Sequence, residues 1–302
     1  MELWIPITVA AAFFQNLRSA LQKHLKARLS TNGATFVRFG FGFPLALLYL
    51  AGLALLAELP LPQPGPSFWV AAVIGGAAQI LGTVCLVSIF SARNFAVGTT
   101  YSKTETVQTA IFGIVILGDR LSAGAVIGIL VSLLGVMAIS LAHSPTISWR
   151  SLLGNLGSRT ALIGLASGGL YGIAAVCYRA ASLSLGGEGF VMQAAFTLAC
   201  VTVMQSTAML VYLRLREPGQ LTATLRVWRT SLWVGASGVA ASACWFTAMT
   251  IQNAAYVRAL GQVELVFTFL AGHFFFRERS SRMELAGIAL VVAGILFLLL
   301  LR

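Results

Sequence analysis

The sequence predicts an all-α polytopic membrane protein with ten transmembrane helices arranged as two inverted five-helix repeats. Three observations predict this fold: an apolar composition, ten apolar windows of membrane-spanning length, and an internal repeat at a fixed offset. The chain has 302 residues, of which 58% are hydrophobic and only 10% are charged. Soluble domains carry roughly 25% charged residues, so the composition excludes a water-soluble fold.

The ten apolar windows follow one another along the chain. Each is close to the ~20 residues that a helix needs to span a ~30 Å hydrocarbon core. The connections between them are too short to hold a separate folded domain. The windows cover residues 4–24, 34–57, 67–90, 95–117, 121–142, 160–180, 189–213, 230–251, 254–276 and 283–301.

A gapless shift of 159 positions aligns the fourth and fifth windows with the ninth and tenth. Under this shift Glu105 meets Glu264, Gly128 meets Gly287, and Gly135 meets Gly294. Because an internal repeat determines the architecture, we predict one five-helix repeat over residues 1–150 and a second over residues 151–302.

The charge distribution indicates that the second repeat is inverted. Five helices per repeat is an odd number, so the second repeat enters the membrane in the opposite orientation. The odd-numbered connections carry thirteen Lys and Arg residues, against three in the even-numbered connections and the termini. The positive-inside rule therefore places both termini outside the cytoplasm. Inverted repeats of this kind hold a substrate near the bilayer midplane and expose it to each side in turn.

Short motifs resemble the drug/metabolite transporter superfamily, in particular its EamA-type members. They are VRFGFGFPLAL at 37–47, GDRLS at 118–122 with its echo RERSS at 277–281, and AGIALVVAGILFLLL at 286–300. The YddG-type exporters of amino acids are the nearest functional analogy within this resemblance. Members of the family have both termini in the cytoplasm, which disagrees with the charge count, so two orientations stay open.

The resemblance and the repeat together predict a secondary transporter rather than an enzyme. The expected substrates are small metabolites, namely amino acids including aromatic ones, or amines, exported across the bacterial inner membrane. The alternatives are a membrane enzyme that modifies lipids and a channel. We expect a monomer in the lipid bilayer, with no nucleic-acid partner and no cofactor. The sequence has no zinc motif, nucleophile elbow or phosphate loop, so we predict no metal ligand and no catalytic residue.

An ionisable residue inside a spanning helix costs at least ~2.5 kcal/mol and faces a cavity or a partner. Five residues in the predicted spans are our candidates for a coupling charge or a buried ion pair: Arg38, Lys103, Glu105, Arg258 and Glu264. On one interpretation a glutamate binds a cationic group or carries a coupling proton. On the other, the carboxylates pair with the buried bases and hold helices together. The residues alone leave both interpretations open.

Polar and aromatic residues at helical spacing complete the predicted cavity lining. Polar side chains in a spanning helix face other helices or water rather than lipid, and aromatic rings beside them stack on a substrate or pack. The candidates are Gln15, Asn16, Gln79, Tyr101, Tyr171, Tyr178, Trp245 and Gln262.

Overall fold

The computed structural model describes residues 2–25, 28–89, 95–142, 154, 156–187, 189–274 and 281–301. Within these ranges the chain forms fourteen numbered α-helices and one π-helix at Gly113–Leu117. The α-helices are α1 (Trp4–Leu25), α2 (Thr31–Gly40), α3 (Phe43–Leu55), α4 (Pro66–Ile89), α5 (Phe95–Ser102), α6 (Glu105–Phe112), α7 (Ala123–Ala142), α8 (Arg159–Ser184), α9 (Phe190–Arg216), α10 (Gln220–Arg226), α11 (Trp228–Ile251), α12 (Ala254–Leu260), α13 (Val263–Phe274) and α14 (Arg282–Leu300).

Seven helical stretches are long and apolar enough to cross a membrane, as judged by length and composition over the described residues. They are α2 together with α3, then α4, α7, α8, α9, α11 and α14. Large apolar side chains such as Leu48, Val115 and Leu300 are exposed on these and neighbouring helices, as a surface that faces lipid tails requires. The prediction of a multi-pass helical membrane protein is therefore confirmed, while ten spans in two inverted repeats stays a prediction.

The remaining three predicted spans are also helical but differ from the other seven. In α1 the polar residues Gln15, Asn16 and Arg18 lower the mean hydropathy. The predicted spans 95–117 and 254–276 are each interrupted, so that α5 is followed by α6, and α12 by α13. The outer bounds of these three spans are close to the predicted windows. Residues 275 and 276 of the ninth window lie outside the described part of the chain.

The two interruptions occur at equivalent positions of the repeat, to within one residue. At the first, Lys103 N–H donates to Thr100 O at 3.2 Å, and at the second Gln262 N–H donates to Ala259 O, also at 3.2 Å. Both bonds span three residues, which marks a tight turn rather than a continuing α-helix. A side-chain hydroxyl promotes the first turn. Thr104 Oγ1 donates to Tyr101 O at 2.6 Å, so this carbonyl has a hydrogen-bond partner without a continuing α-helix.

Contacts divide the chain into two compact units, and each takes helices from both predicted repeats. Unit 1 contains Met1–Ile80 and Cys177–Gln252, and unit 2 contains Leu81–Val176 and Asn253–Arg302. Helices α4 and α8 therefore contribute one part to each unit.

Unit 1 is built around the packing of α11 against α1, with α2, α3 and α9 beside them. The start of α2 is tied to the end of α9. Ser30 caps α2 by accepting from Gly33 N–H at 3.0 Å, while Glu217 accepts from Ser30 Oγ at 2.5 Å and from Asn32 Nδ2 at 2.6 Å. A serine cap and a shared carboxylate thus hold two connections of unit 1 together.

Unit 2 is built around the crossing of α7 and α14, the fifth and tenth predicted spans. A Cβ atom at Gly128 would lie 2.6 Å from Gly294 O, and one at Gly135 would lie 2.6 Å from Gly287 O. Only glycine allows helices to approach so closely. The residues that face each other belong to repeat-equivalent pairs, so the crossing has the local two-fold character that a repeat of 159 residues predicts.

The GDRLS and RERSS motifs end in matched helix caps. Ser122 Oγ accepts from Ala125 N–H at 3.0 Å at the start of α7. Its repeat equivalent, Ser281, accepts from Glu284 N–H at 3.1 Å at the start of α14. Each serine satisfies one of the N–H groups that the first turn of a helix leaves unpaired. Residues 277–280 of the second motif lie outside the described residues.

Candidate functional site

Two crossed ion pairs join the interrupted helices of unit 2. Lys103 Nζ lies 2.8 Å from Glu264 Oε1, and Arg258 Nη1 lies 3.1 Å from Glu105 Oε1. Each half of the repeat therefore supplies one base and one acid, and each base pairs with the acid of the other half. The side chains keep exposed fractions of 32% for Lys103, 22% for Glu105 and 14% for Arg258 and Glu264, so the pairs are largely desolvated.

The helix interruptions position these charges. Lys103 lies in the first interruption, Glu105 is the first residue of α6, and Glu264 is the second residue of α13. The N-terminal turn of a helix carries a partial positive charge, which stabilises a carboxylate placed there. Arg258 lies in the last turn of α12, where the opposite end of the helix dipole stabilises a cation. Each interruption thus creates helix ends that suit the charges beside it.

Neighbouring amides continue the contact between these helices. Gln262, the repeat equivalent of Lys103, donates from Nε2 to Thr106 Oγ1 at 2.9 Å. Gln108 donates to Thr104 Oγ1 at 2.7 Å and to Leu165 O on α8 at 3.3 Å. The predicted site residues Lys103, Arg258 and Gln262 are therefore brought together with the two glutamates, in one polar seam between α5–α6 and α12–α13.

A glycine face of α8 packs against the interrupted helix α5–α6. A Cβ atom at Gly164 would lie 2.3 Å from Gly98 O, and one at Gly168 would lie 2.9 Å from Ser102 O and 3.2 Å from Glu105 N. The four-residue spacing of Gly164 and Gly168 thus allows close helix packing. Because this packing lies at the interruption, α8 contacts the backbone next to Lys103 and at Glu105.

A small cavity in unit 1 contains another of the predicted charges, Arg38. This arginine lies in the last turn of α2 and is buried, with its guanidinium 5.2 Å from the centre of the Phe39 ring. Gln79 and Gln205 also line the cavity. The full lining consists of Arg38, Phe39, Gln79, Leu198, Thr202, Gln205, Gly238, Val239, Ser242 and Phe246.

Hydrogen bonds fix the two carboxamides of this cavity. Gln79 Oε1 accepts from Tyr178 Oη at 3.1 Å and from Gln205 Nε2 at 2.9 Å. Tyr178 Oη is also 3.0 Å from Gly75 O, and the Tyr178 ring stacks on Phe246 with centroids 4.4 Å apart. Tyr178 therefore holds two lining residues, Gln79 and Phe246, in position but does not itself line the cavity.

The other predicted lining residues are placed as follows. Trp245 Nε1 donates to Gln15 Oε1 at 3.1 Å, and Asn16 is half-buried on the same helix as Gln15. Tyr171 Oη donates to Thr83 Oγ1 at 2.9 Å. Tyr101 is buried in an apolar cluster with Val97, Leu141 and Ala161, which is a packing environment.

Sequence reasoning missed several residues of the unit 1 cavity, namely Phe39, Thr202, Gln205, Ser242 and Phe246. Gln205 carried a usable signal, because a lone carboxamide in the apolar run VTVMQSTAML costs free energy unless it is hydrogen-bonded inside the protein. The others carried none, since an aromatic or hydroxyl residue in a spanning helix is ordinary packing material.

Comparison with known proteins agrees with this architecture. The model of the EamA-like transporter family matches residues 2–141 and 159–300, which is nearly the whole chain in two consecutive segments. A search of curated proteins found no match. Among solved structures, one titled "Crystal structure of protein" superposes with a TM-score of 0.73 at 18% identity, covering 100% of this chain and 97% of that chain. At this identity the likeness shows a shared fold.

Proposed function

The chain belongs to the EamA-like transporter family, and from this premise we propose that it is a secondary transporter that works by alternating access. The proposed substrates are small metabolites, most directly amino acids, including aromatic ones, or amines. Export across the bacterial inner membrane is part of the proposal and is supported by the resemblance of GDRLS and VRFGFGFPLAL to the family. A monomer is also part of the proposal, because one chain already contains both predicted repeats. The two consecutive matches of the family model support two repeats within one chain.

The crossed ion pairs are the observation that carries the proposal. Burying four charges in a largely desolvated seam costs free energy unless the charges are paired. A purely structural contact between two spanning helices does not require charges, since small residues pack helices together equally well. Carboxylates and bases in this arrangement can exchange their partners for the charged groups of a solute. A zwitterion offers an ammonium to Glu105 or Glu264 and a carboxylate to Lys103 or Arg258.

The interrupted helices supply the movement that a carrier needs. Discontinuous spanning helices are the usual way in which secondary transporters present half-helix ends to a substrate. The turns at Lys103 and Gln262 lack the continuous α-helical hydrogen bonding of α7 or α14, so they are the places where α5–α6 and α12–α13 bend most easily. We propose that breaking and re-forming the ion pairs at these turns accompanies the change of access.

Uptake into proteoliposomes of a panel of labelled amino acids and amines tests this function. We expect saturable uptake of at least one solute, abolished by an excess of the same unlabelled solute. Flux that rises linearly with concentration would instead favour a channel. Release of a modified lipid with no solute movement would favour a lipid-modifying enzyme.

A further inference from the structure

Four exposed arginines lie where two spanning helices of unit 1 end. Both α9 and α11 are long and apolar enough to cross a membrane, and the short helix α10 connects them. The arginines lie in the last turn of α9, at the end of α10 and in the first turn of α11, namely Arg214, Arg216, Arg226 and Arg229. Since the ends of a spanning helix lie at the membrane surface, these side chains are placed at the level of the lipid headgroups.

These four residues, which we call the arginine surface, have no counter-charge beside them in the described part of the chain. Residues 212–233 contain one carboxylate, Glu217, and no lysine. Both oxygens of Glu217 are engaged at the start of α2, where Oε2 accepts from Ser30 Oγ at 2.5 Å and Oε1 accepts from Asn32 Nδ2 at 2.6 Å. Among the described residues, none of the four arginines pairs with a carboxylate. The arginine surface therefore attracts an anion from outside the protein.

The packing of α10 fixes part of this surface to the body of unit 1. Leu221 packs against a buried cluster that includes Phe36 of α2, and Thr224 is buried. The other face of α10 exposes Leu225 and Arg226. Arg226 is thus presented to the outside by a packed helix.

Apolar and aromatic side chains accompany the arginines. Leu215 is 74% exposed, Trp228 is 52% exposed and Trp233 is 67% exposed. The guanidinium of Arg229 lies 5.6 Å from the centre of the Trp228 ring, which is within the range of a cation–π contact. Tryptophan is enriched at the headgroup level of membranes. A surface of arginine, tryptophan and leucine suits a ligand with an anionic head and an apolar tail.

We propose that the arginine surface binds an anionic phospholipid, with its guanidinium groups on the headgroup phosphate and Leu215, Trp228 and Trp233 against the apolar part of the lipid. A guanidinium presents a planar fork of donors that matches phosphate oxygens, and all four bases here are arginine. Clusters of about four to eight basic residues beside a spanning helix attract anionic lipids. The inference concerns exposed residues of unit 1 and does not depend on which solute is transported.

Thermal unfolding of the purified full-length protein in a neutral detergent tests the proposal. Dioleoylphosphatidylglycerol, dioleoylphosphatidylcholine and sodium phosphate are titrated separately at constant ionic strength. The two lipids share their acyl chains and differ in headgroup charge, while sodium phosphate supplies the anion without a chain. We expect phosphatidylglycerol to raise the melting temperature in a saturable way, at a concentration at least about tenfold lower than phosphatidylcholine requires. Sodium phosphate should have no effect.

A double variant with a matched control separates the arginine surface from a general effect of charge. R226Q/R229Q removes two of its arginines and is expected to weaken the apparent affinity for phosphatidylglycerol by about tenfold. R120Q/R159Q removes the same charge at exposed positions of unit 2 and should leave that affinity unchanged. Because all four positions are exposed, we expect both variants to fold.

Tryptophan quenching in vesicles locates the bound lipid. The protein is reconstituted in phosphatidylcholine vesicles that contain a minor fraction of brominated phosphatidylglycerol or, separately, of brominated phosphatidylcholine. We expect the brominated phosphatidylglycerol to quench the wild-type protein more strongly, because it is enriched beside Trp228. This excess quenching should decrease in W228F and persist in W69F, which removes a tryptophan of 42% exposure near the start of α4. Since both leaflets contain the brominated lipid, the result does not depend on the orientation of the protein.

Three results would overturn the inference: equal stabilisation by the two lipids, an equal loss of affinity in the two double variants, or equal excess quenching in W228F and W69F. Stabilisation by sodium phosphate as strong as that by phosphatidylglycerol would also overturn it, because the surface would then bind a free anion. Solute uptake is measured independently of these results, so a failure of the lipid site leaves the transporter proposal intact.

Discussion

Replacing Glu264 with glutamine is expected to abolish transport and to lower the free energy of unfolding by about 3 kcal/mol. The substitution leaves Lys103, whose ammonium lies 2.8 Å from the carboxylate, without its counter-charge in a largely desolvated seam. Removing one partner of a buried ion pair costs roughly 3–5 kcal/mol, and the 32% exposure of Lys103 favours the lower end of that range. The measurements are solute uptake and thermal unfolding in detergent.

The double variant K103Q/E264Q separates a role in transport from a role in stability. Removing both charges leaves no unpaired ion, so we expect the double variant to recover most of the stability that each single variant loses. Transport should stay abolished, because only the Arg258–Glu105 pair remains and the seam can no longer exchange partners between two pairs. Normal transport by the double variant would show that the pair only holds α5–α6 to α12–α13. E58Q, at an exposed carboxylate after α3, is the matched control and should behave as wild type.

Replacing Gly135 with alanine is expected to destabilise unit 2 by about 1–3 kcal/mol, the usual cost of overpacking a close contact. The new Cβ atom would lie 2.6 Å from Gly287 O and 2.7 Å from Val291 N. Both are backbone atoms and cannot rotate away, so α7 and α14 must separate. The measurement is the melting temperature of the purified protein in detergent.

Gly52 provides the control for this prediction. It also lies in an apolar helix, but a Cβ atom there has no neighbour within 4 Å. G52A is therefore expected to leave the stability unchanged or to raise it by about 0.5–1 kcal/mol, since alanine loses less backbone entropy than glycine on folding. The close crossing of α7 and α14 would be contradicted if G135A and G52A shifted the melting temperature equally.

The parts of the fold that the sequence predicts are those that depend on local pattern or on the repeat. Apolar windows give the helices because a membrane demands about twenty apolar residues per span. The offset of 159 residues aligns Ser122 with Ser281 and Gly128 with Gly287, and the structure gives each pair the same local role, as helix caps and as close-packed glycines.

The interruptions of the fourth and ninth predicted spans depend on weaker signals. Serine and threonine around Lys103, and Gly261 before Gln262, are each compatible with an unbroken helix. Bonds that span three residues end both α5 and α12 where they end, and at α5 side-chain hydroxyls also compete for the backbone carbonyls. A hydropathy window averages over such a turn and does not detect it.

The pairing of the charges also could not be predicted. The repeat places an acid and a base in each half, but the partner of each base depends on how α5–α6 and α12–α13 lie against each other. In the structure both bases pair with the acid of the other half. Likewise, the grouping of Arg38 with Gln79, Gln205 and Phe246 joins four different helices, and no spacing along the chain encodes it.

The most direct test of alternating access is a counterflow measurement on the wild-type protein. Proteoliposomes are loaded with an unlabelled solute from the uptake panel and diluted into a trace of the same labelled solute. A carrier whose site faces one side at a time should accumulate label transiently above its equilibrium level, because outgoing unlabelled solute returns the site to the outside. Equilibration of the label without such an overshoot would contradict a carrier and favour a channel.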